Sequence, residues 1–226
     1  MLTAESLRFD LADFELREDG VMRRGWINPD GVGQSVQFGS GAIDWPFDLT
    51  RLDEAREFYR GQCQANGGAM LAAEVVPIAG FEALGGVFKY RSPEPSSLAM
   101  YYVAILWLPF RECWFQVNIE ALERGATGVR EALVMMLHPE SWPEAQGEPT
   151  MLPAGVDFAT HARRTPVRPL PSDEPRHDEK FPAHPLSLVR RRLGEVIATA
   201  HFEPAVARNL RPFRLGRRPW WRGGRG

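Results

Sequence analysis

"LAMYYVAILWLPF", residues 98–110, decides how the chain is to be read. A helix needs about 20 predominantly apolar residues to cross a bilayer core, and this run is shorter. Its tyrosines, valine, isoleucine and tryptophan favour the pleated surface of a sheet. As a strand, Tyr102, Ala104, Leu106 and Leu108 face one side, and Tyr101, Val103, Ile105 and Trp107 face the other. Both faces are apolar, so the strand is expected near the middle of a sheet covered on both sides.

Working outward, residues 69–78, 81–90 and 112–120 read as strands alongside 98–108. "RSPEPSS" breaks the second strand from the third, and "PFRE" breaks the third from the fourth. Short connections between consecutive strands predict an antiparallel meander. Before it, Leu7, Phe9 and Leu11 alternate with polar residues, the phase shifts near Asp13, and Phe14 and Leu16 continue. Residues 21–28 and 34–38 are candidates for further short strands. "TRLDEAREFYRGQCQANGG" (50–68) predicts a helix with Thr50 as its cap and Asp53 three residues on. Leu52, Ala55, Phe58, Tyr59 and Cys63 share one face, and Asn66-Gly67-Gly68 stops it.

"ERGATGVREALVMML" (123–137) places a glycine pair around a threonine ahead of a helical pattern. Free N–H groups at such a helix start can hold an anion. GxGxxG and GxxxxGK[ST] are both absent, however, and Glu120, Glu123 and Glu131 offset Arg124 and Arg130. The stretch is therefore read as a cap at Thr127. Val129, Ala132, Leu133, Met136 and Leu137 form the apolar face expected to meet the core.

The fold class expected is α+β: a twisted, mainly antiparallel sheet with helices packed on it, plus a C-terminal helix and a basic tail. Residues 1–138 form the core domain. Residues 139–185 hold ten of the 19 prolines and read as an extended wrap or linker. Residues 186–226 carry the C-terminal helix and tail. In "HPLSLVRRRLGEVIATAHF" (184–202), Leu186, Val189, Leu193, Val196, Ile197 and Ala200 make one stripe, with Arg190, Arg191, Arg192 and Glu195 mostly off it.

Charge is unevenly placed. The chain of 226 residues has net charge −2, but from Arg208 onward there are seven arginines and no acidic residue. The body before it holds 20 basic and 29 acidic side chains, a net −9. Arg214, Arg217, Arg218, Trp220, Trp221 and Arg222 are the candidate partner-binding residues of that tail. They suit an acidic partner or the chain's own acidic body, and they suit single-stranded nucleic acid by phosphate contact and base stacking.

Other chemistry is sparse in the sequence. Cys63 and Cys113 form no CxxC pair and read as buried free thiols. His138, His161, His177, His184 and His201 match no familiar zinc spacing. Neither "FGSGAID" nor the scattered carboxylates Asp44, Glu74, Glu82, Glu120 and Glu123 supplies a catalytic constellation. No catalytic, metal or cofactor-binding residue is therefore assigned. The N-terminal stretch lacks the basic-then-apolar order of a signal peptide, so a cytoplasmic location is expected.

The order of elements, and the passage "GFEALGGVFKYRSPEPSSLAMYYVAILWLPF" (80–110), resemble the PsbP-like α/β sandwich and its DcrB-like branch. That branch includes chaperones for Rhs-type type VI secretion effectors. The resemblance reaches at most residues 1–137. "ERGATGVREA" and "HDEKFPAHPLSLVRRRL" look like phrases of uncharacterised bacterial proteins. The resemblance implies a bacterial protein-binding module, a secretion-effector chaperone or an immunity protein, and no catalytic residue is carried over from it. The alternatives are an enzyme whose site is assembled from scattered polar residues, and nucleic-acid binding through the tail.

Overall fold

A computed structural model describes residues 1–94, 96–142 and 158–215. Its principal sheet has seven strands: β2 (Glu15–Asp19), β3 (Arg23–Ile27), β4 (Gly33–Ser40), β5 (Ala69–Ile78), β6 (Phe81–Arg91), β7 (Met100–Pro109) and β8 (Cys113–Leu122). Their order is β2-β3-β4-β8-β7-β6-β5, every pair antiparallel. A short ribbon pairs β1 (Leu7–Arg8) with β9 (His201–Phe202). The helices are α1 (Leu52–Ala65), α2 (Val129–Leu137), α3 (Phe158–Arg164), α4 (Pro185–Thr199) and α5 (Pro204–Ala207). The fold is α+β, as the alternating strands between helical stretches imply.

Strand β7 lies inside the sheet, and its two faces meet different helices. Tyr102, Ala104, Leu106 and Leu108 are fully buried in a core that α4 closes with Leu186, Val189 and Val196. Trp107 and the half-buried Ile105 belong to a second core, closed by Ala55, Tyr59 and Cys63 of α1. Aromatic packing dominates the second core. Tyr59 stacks on Trp107 at 4.3 Å between ring centroids and receives a 2.8 Å hydrogen bond from the Trp45 indole. Both cysteines are buried free thiols, as expected.

Several sequence expectations need correction. Helix α1 begins at Leu52 with Arg51 as its cap residue, not Thr50. Thr50 is bound instead to Asp48, whose carboxylate accepts both its hydroxyl and its N–H. An Asp that offers its own turn competes successfully with the helix for the threonine. Of Leu7, Phe9 and Leu11, only Leu7 is in a strand. Phe9 is buried outside the ladder.

The larger correction concerns α2. Gly128, with φ +74°, is its cap residue, and Thr127 makes no capping bond. A left-handed entry suits glycine, which has no side chain to supply a capping bond. The helix is also rotated from the expected phase. Arg130 and Val134 face inward, and Val129, Ala132, Leu133, Met136 and Leu137 are all exposed. The helix packs chiefly on the turn Pro171–Asp173 rather than on the sheet.

Arg130 explains the rotation. Its side chain is 1% exposed. The guanidinium donates to the Ser172 carbonyl (2.7 Å), the Ser187 hydroxyl (2.8 Å), the Glu174 carbonyl (3.2 Å) and the Asp178 carboxylate (2.8 Å). One side chain of α2 thereby holds the proline-rich segment and α4. Arg190 reinforces the junction from α4, bonding Asp178 and the Asp173 carbonyl. Removing one member of a buried ion pair strands the other, at a cost of about 3 kcal/mol or more. Arg130→Ala is therefore expected to lower unfolding stability by about that amount in urea titrations, while Thr127→Ala changes it by less than about 0.5 kcal/mol.

The thiols give a second check. Burial pushes the Cys113 thiol up to about 11 and raises that of Cys63 as well. Only the thiolate reacts readily. Iodoacetamide at neutral pH is expected to leave both unmodified in the native protein and to label both in denaturant, as read by intact mass.

Candidate functional site

The structure gathers a polar cluster where β6, β7 and β8 meet α2, the Pro171–Asp173 turn and the start of α4. Lys89 enters from β6, on the same face as Ala83 and Val87, and is 2% exposed. Across the ladder it pairs with Tyr102, and its ammonium lies 5.8 Å from the centroid of that ring. It donates to both Asp173 oxygens at 3.1 Å and stands 3.7 Å from Glu131 of α2. A buried ammonium is tolerable only with such pairing.

Glu123 follows β8 directly. Its carboxylate accepts the Met100 N–H at 2.8 Å and the Gly128 N–H at 3.5 Å. His184, the cap residue of α4, meets it at 3.3 Å through Nε2. The other ring nitrogen accepts the Leu186 N–H at 3.2 Å, which requires Nδ1 to be bare. The neutral ring then carries its proton on Nε2 and donates it to Glu123. Burial pushes the Glu123 carboxyl up, but the His184 bond and the two N–H groups outweigh it and hold it below the usual carboxylate range. Burial beside Glu131, Asp173 and Glu123 raises the Tyr102 hydroxyl far above its ordinary value, so it stays protonated.

Glu123, Glu131 and His184 bring ligand atoms within 4.8 Å of one another, close enough to raise the question of a metal ion. The donor set does not fit one. A histidine ligand needs a bare Nε2, and the Leu186 N–H fixes the opposite tautomer. The Lys89 ammonium beside Glu131 would repel a cation as well. The cluster is instead a network in which most donors and acceptors are spent on one another.

One group is left over. Glu131 Oε2 is buried with no hydrogen-bond partner among the described residues. Separately, Lys89, Glu123 and Glu131 line a cavity of about 450 Å3. Leu98, Met100, Ala162, Pro166, Val167 and Leu170 line its walls, and Thr127 and Gly128 close one side. The "ATG" turn thus borders a cavity, though not as the phosphate cradle its glycines suggested.

No protein-family model matches the sequence, and no curated protein sequence matches it. Among solved structures, a protein of Bacteroides thetaiotaomicron determined at 1.50 Å resolution is similar over 53% of this chain, at 12% identity and a TM-score of 0.33. The matched part amounts to 39% of that protein's length. A likeness at this level carries no argument about fold or function.

The residues singled out in the tail stand apart from this cluster. Arg214 is exposed, and Arg217, Arg218, Trp220, Trp221 and Arg222 lie outside the described residues. The chain leading to them is docked. Phe213 packs edge-on against Trp45 at 6.2 Å, Pro212 bridges to Phe110, and Arg211 pairs with Glu112. No helix among the described residues is long and apolar enough to cross a membrane.

Sequence reasoning named Glu123, Glu131 and His184 without joining them to one another or to Lys89, because the four come from separate elements. One signal was available. Lys89 is one of two lysines in the chain, and it falls on the inward phase of an apolar strand. An inward lysine demands a buried carboxylate partner.

His138 and His177 bring their rings together. His177 is 2% exposed, its ring centroid is 5.6 Å from that of His138, and its Nε2 has no hydrogen-bond partner among the described residues. Burial, then the charges of Arg176 and Arg130, hold its pKa below 6.5. The neutral ring is therefore favoured by folding. Its contribution is fully present above pH 6.5 and is lost as pH falls through the depressed folded value. Glu123, also depressed, contributes above its ordinary 4.5 and loses that contribution as pH falls further. Urea midpoints measured against pH should show two successive declines on acidification, and His177→Met should remove the earlier one.

Proposed function

We propose that the protein is a non-catalytic protein-binding module, acting as a secretion-effector chaperone or an immunity partner, with the outward face of α2 as its contact surface. One observation carries the reading. Six of the ten large apolar side chains exposed among the described residues fall between Leu122 and Leu137. They are Leu122, Val129, Leu133, Met135, Met136 and Leu137, and Met136 is 69% exposed. Such residues scatter singly on ordinary surfaces, and their concentration marks an interaction site.

The helix is fitted to the role. Val129, Leu133, Met136 and Leu137 recur at the spacing by which one helical face engages a groove. Methionine adapts to an irregular partner surface at little cost. The Arg130 anchor fixes the helix from behind, so the face is presented on a rigid support. The polar cluster supports binding over catalysis, since its carboxylates, ammonium and imidazole are largely committed to one another.

The test uses Leu133→Asp with Met136→Asp. Both positions are exposed, so the thermal midpoint should move by less than about 2 °C. Host proteins retained by the wild-type chain in pull-downs at matched salt should be lost from the variant. Equal retention by both chains would refute the α2 surface.

A further inference from the structure

We infer that the cavity between the end of α1, the end of β6 and the connection after α3 is a binding site for a phosphate monoester, a doubly charged oxyanion carried on a small organic body. The site is separate from the outward face of α2 and does not rest on it.

Charge is the first ground. Arg91, Arg163 and Arg168 line this cavity of about 740 Å3, and among the described residues no carboxylate does. The body before Arg208 carries a net −9, so a cavity whose charged lining is all arginine runs against its surroundings. Burial, and after it the Arg163 charge, lowers the Arg91 guanidinium from its ordinary value. The two cations are thus held near one another. Glu94 is a neighbour, but its carboxylate accepts the Ser96 hydroxyl and does not line the cavity. Two such charges match the dianion of a phosphate monoester, whereas a carboxylate would offset only one.

The second ground is the supply of donors. Among the described residues, Arg91 spends Nη2 on the Thr165 carbonyl at 2.7 Å, and Arg163 spends Nη2 on the Glu94 and Ser97 carbonyls. These neutral acceptors fix each fork without cancelling its charge. The remaining N–H groups suit the paired oxygens of a phosphate. Both side chains are partly exposed, so a guest can reach them. The carbonyls that end α1 do not oppose an anion. Those of Gln62, Cys63 and Gln64 already accept the N–H groups of Asn66, Gly68 and Gly67.

The third ground is the wall. Tyr90 lies against the backbone of Gly68, where an added Cβ would fall 2.4 Å from its ring carbons. Tyr90, Pro166 and Val167 give the cavity apolar surface beside its arginines. The volume lies in the range of pockets that hold small molecules. It leaves room for an organic body behind the phosphoryl group, whereas inorganic phosphate would leave that surface unfilled.

Calorimetric titration of the full chain with phenyl phosphate, phenyl sulfate and inorganic phosphate tests the inference, at about pH 8 where the monoester is a dianion. Phenyl phosphate is expected to bind, with the singly charged sulfate and the inorganic ion each weaker by about tenfold. Arg91→Gln combined with Arg163→Gln should abolish binding. Gln64 lines the same cavity from an exposed position, so its charge can be changed without touching either arginine. Gln64→Glu should weaken phenyl phosphate about threefold, and Gln64→Lys should strengthen it about threefold. This pair keeps the test decisive if the double arginine variant does not fold. Equal binding of phenyl sulfate and phenyl phosphate would overturn the charge match. Inorganic phosphate binding as tightly as phenyl phosphate would overturn the organic body. Absence of phenyl phosphate binding, or an affinity indifferent to both Gln64 substitutions, would refute the assignment.

Discussion

A guanidinium buried at the back of α2 is the constraint on which the rest of this molecule depends. A guanidinium is a charged group with five donors, so the burial of Arg130 is tolerable only where the surrounding chain supplies acceptors. Two backbone carbonyls, a hydroxyl and a carboxylate do so, and all come from residues 172–187. The stretch from Ser172 to Asp178 is therefore held in place by hydrogen bonds where it has few apolar side chains to bury. Arginine serves here as a fork with several donors in one plane, a role that a lysine could not fill.

The same constraint settles what α2 shows to solvent. Residues four apart share a face of a helix, so an inward Arg130 brings Val134 inward with it. Val129, Leu133 and Met136 are then carried to the opposite side, although their hydrophobicity would place them in a core. Local preference and tertiary demand conflict in this helix. The polar demand wins because an unsatisfied buried guanidinium costs far more than a few exposed methylene groups. Sites of such conflict are where function concentrates in folded proteins.

The strands of the meander and the phase of β7 were legible because a two-residue alternation records burial directly, and both faces of β7 are apolar. The stripe on α4 was legible for the same reason, with Leu186, Val189 and Val196 at helical spacing. Cap positions were not. Thr50 and Thr127 both have the chemistry of a cap, yet a neighbouring Asp48 and the left-handed backbone of Gly128 took precedence. The phase of α2 was misread because apolar residues were assumed to face inward, an assumption that a buried arginine reverses. The cluster around Lys89 could not be assembled from spacing, since Lys89 and Asp173 are 84 residues apart.

The β1–β9 ribbon has a consequence for how the chain acquires its structure. Leu7 pairs with Phe202, so the ribbon cannot close until nearly the whole described length has left the ribosome. Helix α4, which seals the larger core, is also made late. During synthesis the face bearing Tyr102, Ala104, Leu106 and Leu108 is left without that cover for as long as the intervening residues take to emerge. At about 5–20 residues per second, that interval is several seconds at least. A nascent chain with an uncovered apolar sheet is prone to aggregation, so productive folding depends on shielding this surface until α4 arrives.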